Sequence, residues 1–124
     1  MKRISTDKSP AAIGPYSQGL CCGNLVFVSG QIPINAQTGE MAESIEDQAR
    51  QSLTNVKNIL EAEGLTMANV IKTSVFLADL GDFAKVNEVY ATFFKEPFPA
   101  RSCVEVSAIP KGAKVEIECI AVKE

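Results

Sequence analysis

Two segments near the C-terminal end hold the side chains best suited to chemistry. Ala100-Arg101-Ser102-Cys103-Val104-Glu105 places a guanidinium, a thiol and a carboxylate at every second position, and Lys114-Val115-Glu116-Ile117-Glu118 places two carboxylates at the same interval. In an extended strand successive side chains alternate between faces, so Arg101, Cys103 and Glu105 form one set and Glu116 and Glu118 another. A guanidinium can grip a small carboxylate through two parallel N–H bonds, and a carboxylate can take a proton from water. The chain has no histidine. That removes the Ser-His-Asp triad, the Cys-His pair, a histidine zinc ligand and an imidazole base, and leaves proton chemistry to Glu, Asp, Cys, Lys or Tyr. Each residue also has a plainer reading: a strand arginine is ordinarily half of a surface ion pair, Glu118 an exposed strand carboxylate, and Cys103 a small hydrophobe.

The elements that must position these groups are legible from periodicity. Lys2–Ser5 is a short strand, and Ser17–Cys22 meets Leu25–Ser29 across Gly23-Asn24, a dipeptide that tolerates positive φ and closes hairpins. The run Leu25-Val26-Phe27-Val28 is apolar throughout and is expected to be covered on both faces. After a loop marked by Gly30, Pro33, Asn35 and Gly39, Ser44 caps a helix. Its stripe is Ile45, Ala49, Leu53, Val56 and Leu60, and Gly64 ends it. Val70–Ala78 is dense in β-branched residues and reads as a strand. Phe83, Val86, Tyr90 and Phe93 define a second helix that Pro97 stops, and Arg101–Ser107 and Lys114–Val122 are the last strands. The order predicts an α+β fold: a mixed six-stranded sheet with two helices packed on one face.

In the last strand Val115, Ile117, Cys119 and Ala121 form the helix-facing side, and Lys114, Glu116, Glu118, Ile120 and Val122 the other. Placed together with Arg101, Cys103 and Glu105, that second face is too apolar at one end to be fully wet and too charged at the other to be core. A homo-oligomer that buries it, with Arg101 and Glu118 lining a cleft between subunits, is the simplest solution.

Composition narrows the function. A chain of 124 residues suits a single domain, 1–124, and 46% hydrophobic with 22% charged residues is ordinary for a folded protein. Twelve basic against 15 acidic side chains, a pI near 5.0 and only three arginines argue against a nucleic-acid partner, which needs clustered cations. Met1–Pro10 has no apolar run behind its basic residues, and no stretch approaches the length of a membrane span. Cys21, Cys22, Cys103 and Cys119 follow no metal or disulfide spacing. Adjacent Cys21 and Cys22 point to opposite faces of a strand, so reduced thiols, no metal site and a cytoplasmic location are expected.

Several stretches fall together in one order: Ile13-Gly14-Pro15-Tyr16-Ser17-Gln18, Val28-Ser29-Gly30-Gln31-Ile32-Pro33, Pro99-Ala100-Arg101-Ser102-Cys103-Val104, Ile109-Pro110 and Val115-Glu116-Ile117-Glu118. Over nearly its whole length the chain resembles the RidA (YjgF) family of reactive intermediate imine deaminases. The resemblance implies a chorismate-mutase-like homotrimer with three intersubunit clefts. It also implies cofactor-free hydrolysis of 2-imino acids, or their enamine tautomers, to 2-keto acids and ammonia, the imines being those released by pyridoxal-phosphate enzymes, typically 2-iminobutanoate and 2-iminopropanoate. On this resemblance Arg101 holds the substrate carboxylate and Glu118 activates water, while Tyr16, Ser29, Gly30, Asn87 and Cys103 match pocket positions. It leaves two other roles open: a non-catalytic regulatory trimer that binds keto acids, and a ribonuclease or translation inhibitor, which the acidic pI and absent histidines disfavour.

Overall fold

The computed structural model describes residues 1–124. One six-stranded sheet is formed by β1 (Lys2–Ile4), β2 (Gly19–Cys22), β3 (Leu25–Gln31), β4 (Val70–Leu77), β5 (Ala100–Glu105) and β6 (Val115–Val122), in the order β1-β2-β3-β6-β4-β5. Every pairing is antiparallel except β4 with β5, so the sheet is mixed as expected. Helices α1 (Ile45–Glu61) and α2 (Phe83–Tyr90) lie on the same face and pack against each other.

Helix α1 begins where Ser44 Oγ accepts the Asp47 N–H at 3.1 Å, satisfying a donor that the first turn leaves free. It closes at Gly64, whose φ of +77° suits a residue without Cβ, with the Leu65 N–H reaching back to the Leu60 carbonyl. All five apolar stripe residues are buried. They meet Val26, Val28, Val75, Leu77, Val115, Ile117, Cys119 and Ala121, the inward set of the central strands, in a single core. Helix α2 is shorter than the stripe suggests: it stops at Tyr90, and Phe93 packs against the core from the turns that follow.

The other face of the sheet has no helix. Leu20, Phe27, Ile120 and Lys72 form one row across it, with Cys22, Leu25 and Val122 beside them; Phe76 pairs with Val104 in another. Phe27 and Val104 are exposed. The expectation that Leu25–Val28 is covered on both faces therefore fails within the protomer: Val26 and Val28 are buried, and Phe27 is open. Cys21 is buried and Cys22 exposed, as their opposite directions require, and all four cysteines are free.

Candidate active site

The residues expected to act together fall into two groups on opposite faces of the sheet. Parallel pairing sets Arg101 beside Thr73, Cys103 beside Val75 and Glu105 beside Leu77, the inward residues of β4. Antiparallel pairing sets Glu118 beside Ser74 and Glu116 beside Phe76, on the open face. The sequence-based placement of Arg101, Cys103 and Glu105 on the same face as Glu116 and Glu118 is thus wrong. Alternation fixes which residues of a strand belong together, but interstrand register decides which face each set takes.

The first group is built at the β5 edge against α2. The Arg101 guanidinium lies over the Tyr90 ring, 4.8 Å from its centroid, and 5.4 Å from that of Phe83, while Nη1 donates to Asn87 Oδ1 at 2.7 Å. Two aromatic faces and one amide hold the planar cation, and no carboxylate pairs with it. Tyr90 is itself fixed by a 2.7 Å hydrogen bond between its hydroxyl and Thr73 Oγ1. Arg101 is therefore oriented and electrostatically uncompensated, unlike a surface ion pair. Half-buried Cys103 lies on the same side; burial pushes its thiol up, with the Arg101 charge acting in the opposite direction, so the sulfur stays protonated near neutrality and is a poor nucleophile. Glu105 has a structural task, accepting the Leu80 N–H at 2.8 Å in the turn that leads to α2.

The second group surrounds a cavity of about 650 Å³ on the open face, lined by Tyr16, Ser29, Gly30, Ile32, Glu116 and Glu118 among others. Its wall is shaped by an irregularity in the pairing of β3 with β6, where the register shifts between Val28 and Gln31. Such bulges redirect side chains and interrupt a ladder, here at Ser29-Gly30. Ser29 Oγ donates to the Ser17 carbonyl and the Ser29 N–H to that of Gln18, which ties down the loop carrying Tyr16. Gly30 lets the Glu116 carboxylate lie against its Cα: an added Cβ would sit 2.9 Å from the Glu116 Cδ and 3.1 Å from its Cγ, so the Glu116 side chain would have to swing away. Glu118 is exposed and makes no hydrogen bond or ion pair within the chain.

The protomer thus brings Tyr16, Ser29, Gly30 and Glu118 to one cavity and Asn87, Arg101 and Cys103 to another place, with β4 and the thickness of the sheet between them. Reasoning from sequence missed three neighbours: the Phe83 and Tyr90 rings against Arg101, and Glu116 in the cavity. The two aromatics carried a signal, but their helical spacing marks a core stripe, and only the β5 edge position turns it toward a cation. Glu116 shares the parity of Glu118, which placed it on the right face without assigning it a task.

An oriented arginine with no carboxylate partner and an unpaired carboxylate beside a cavity, carried on an α+β sandwich, are groups able to bind a small anion and to accept a proton. The chain matches the family described as Endoribonuclease L-PSP over residues 6–123 and belongs to that family, the YjgF/RidA family. It is 56% identical to the 2-iminobutanoate/2-iminopropanoate deaminase of Escherichia coli K12 over 98% of both chains. Among solved structures it is similar to E. coli TdcF with bound serine, with a TM-score of 0.96 and 53% identity over the full length of both chains. It is also similar to the YjgF gene product of E. coli, with a TM-score of 0.96 and 54% identity, again over all of each chain.

Proposed function

We propose that the protein hydrolyses short 2-imino acids and their enamine tautomers to 2-keto acids and ammonia, in sites completed between copies of the chain. The observation that carries this reading is the unpaired Arg101, held flat by Tyr90, Phe83 and Asn87 and lacking only an anion. A 2-imino acid supplies that anion next to an electrophilic C=N carbon. The names of the close relatives point to the same substrates.

Because Arg101 and Glu118 lie on opposite faces, one protomer cannot place both against a small substrate. The β5 edge of one copy, with Asn87, Arg101 and Cys103, must approach the open-face cavity of the next, with Tyr16, Ser29, Gly30 and Glu118. Repeated head-to-tail, such a contact closes into a ring. The family resemblance sets its order at three. The apolar open face, with Phe27, Ile120 and Val104, supplies surface for that contact.

In the completed site Arg101 binds the substrate carboxylate bidentately, which fixes the C=N carbon in position. Glu118 takes a proton from a water molecule as its oxygen adds to that carbon, the π pair moves to nitrogen, and Glu118 returns that proton to the nitrogen to give the carbinolamine. The hydroxyl proton then passes to the nitrogen as the C–N bond breaks and C=O forms, which releases ammonia and the 2-keto acid. Positioned acid/base catalysis of this kind contributes about 10²–10⁴-fold. The chain's own side chains suffice for these steps without a cofactor. The endoribonuclease wording of the family description has no support in the site, which offers carboxylates on the open face in place of a cationic track.

The test is a coupled assay in which a threonine dehydratase generates the imine and keto-acid formation is followed. Wild type is expected to accelerate the imine step, and Arg101→Ala to lose that effect. A wild type no faster than Arg101→Ala would show that the reading is wrong. Glu118→Gln separates enzyme from binding protein: it is expected to lose turnover while keeping affinity for a 2-keto acid.

A further inference from the structure

The turn between β5 and β6 holds Lys111 at φ +60° and ψ +22°, the only residue other than glycine at positive φ. Backbone of this kind favours glycine because a Cβ crowds the neighbouring carbonyl, and a lysine keeps it only where the surrounding structure imposes it. Here both ends of the turn are fixed. Ile109 and Ala113 are buried, and Pro110 sets its own φ. The Gly112 N–H donates to the Ile109 carbonyl at 3.2 Å and the Ala113 N–H to that of Pro110 at 3.3 Å. Lys111 itself is exposed and makes no side-chain hydrogen bond or ion pair within the chain. Lys2 and Lys123, by contrast, share Glu63, and Lys114 donates to the Glu43 carbonyl.

Lys111 lines the cavity that holds Glu116 and Glu118, and it is the only cation among the residues that do. With both carboxylates ionised, this half-site carries two negative charges against one positive. The substrate inferred above gives its carboxylate to Arg101 of the neighbouring copy. A second anionic group on the substrate would meet Glu116 and Glu118 and be repelled, unless a cation in the same cavity receives it. Lys111 can do so without giving up a partner, and its flexible stem lets the ammonium follow a terminal carboxylate. Arg101, clamped between rings, suits the fixed carboxylate beside the reacting carbon. The cavity, at about 650 Å³, is of the size that takes whole drug-sized ligands, so the few extra atoms of a dicarboxylic acid fit.

We propose that Lys111 is a specificity-determining residue: resting on the deaminase reading above, it binds the second carboxylate of 2-imino dicarboxylic acids, the imines of acidic amino acids, and admits that class beside the short monocarboxylic imines.

The experiment compares two imines and their two keto-acid products in wild type, Lys111→Met, Lys111→Gly and Lys111→Arg. Amino-acid oxidases generate the imines of 2-aminobutanoate and of glutamate, and keto-acid formation is followed. Calorimetry gives Kd for 2-oxobutanoate and 2-oxoglutarate, a readout that needs no turnover. Lys111→Met is expected to lower the ratio of kcat/KM for the dicarboxylic over the monocarboxylic imine by about 10-fold, chiefly through KM, the loss of one charge-assisted contact. The preference in Kd for 2-oxoglutarate is expected to fall with it. Lys111→Gly repeats the loss in a turn whose backbone suits glycine, so misfolding does not account for the result. Lys111→Arg is expected to keep the preference. Added salt is expected to erode it in wild type and not in Lys111→Met.

A ratio unchanged in Lys111→Met and Lys111→Gly overturns the assignment and leaves the deaminase reading standing. A ratio lost only together with native mass in sedimentation also overturns it, since Lys111 then serves the contact between copies. So does a wild type that hydrolyses the monocarboxylic imine and binds no 2-oxoglutarate. Failure of wild type to accelerate either imine overturns both readings.

Discussion

At the scale of the residue, the guanidinium of Arg101 is held by rings and an amide in place of a carboxylate. Lysine would keep the charge but lose the planar fork and the stacking. Arg101→Lys is therefore expected to lower kcat/KM by about 10–100-fold, the loss of a charge-assisted bidentate contact, in steady-state assays of the coupled reaction. Glu116 makes a prediction of opposite sign for stability. Its folded-state carboxyl titrates above the unfolded value, so the unfolded chain releases that proton first as pH rises. Stability falls through the window between the two values, and the penalty is complete above the folded one. Glu116→Gln removes it. The variant is expected to melt at a higher temperature than wild type at pH 7, with the difference vanishing below the ordinary glutamate range, as measured by calorimetry across pH.

At the scale of the element, α1 does more than bury its apolar stripe. Asn55 is fully buried in that stripe, and its Nδ2 donates to the carbonyls of Ile32 and Ile34 at 3.1 and 3.0 Å. Its own carbonyl accepts from Ser9 Oγ at 2.7 Å, so one helical turn fixes two loops that border the cavity. Asn55→Ala would leave the Ile34 carbonyl without a partner, and the Ile32 carbonyl with the Ile34 N–H alone, and is expected to destabilise by about 1–3 kcal/mol in urea titrations, with a raised KM. The helix itself was legible in sequence because its cap, its 3.6-residue period and its terminal glycine agree. Asn55's task was not, because a polar residue inside an apolar stripe gives no indication of which distant carbonyls it meets. The strands divide in the same way. The β6 alternation is correct residue by residue, whereas the side taken by Arg101 depended on β5 pairing parallel to β4, a choice made by the α2 crossover and invisible within either strand.

At the scale of the whole molecule, the two half-sites require assembly. Sedimentation equilibrium is expected to give three times the 13.3 kDa protomer mass. The sharper prediction concerns mixed assemblies. Arg101→Ala and Glu118→Gln protomers, each inactive alone, should form some intact sites when unfolded and refolded together, since a site needs Arg101 from one copy and Glu118 from its neighbour. Random assembly at equal amounts restores about a quarter of the sites. Activity that stays at zero would mean that both groups must come from one chain, which the sheet geometry forbids, and would remove the proposed site altogether.

The sequence by itself determined the local matters: which segments extend or coil, where they start and stop, which residues share a strand face, and, through the missing histidines, that carboxylates must carry any proton chemistry. It also held the motifs by which the chain resembles its family. Only the tertiary structure decided that Arg101 and Glu118 stand on opposite sides of one sheet, that aromatic rings replace a counter-ion around the guanidinium, and that a bulge at Ser29-Gly30 admits the Glu116 carboxylate. The reason is range: caps, turns and periodicity act over a few neighbouring residues, whereas register, crossover and cavity shape are set by contacts between segments far apart along the chain.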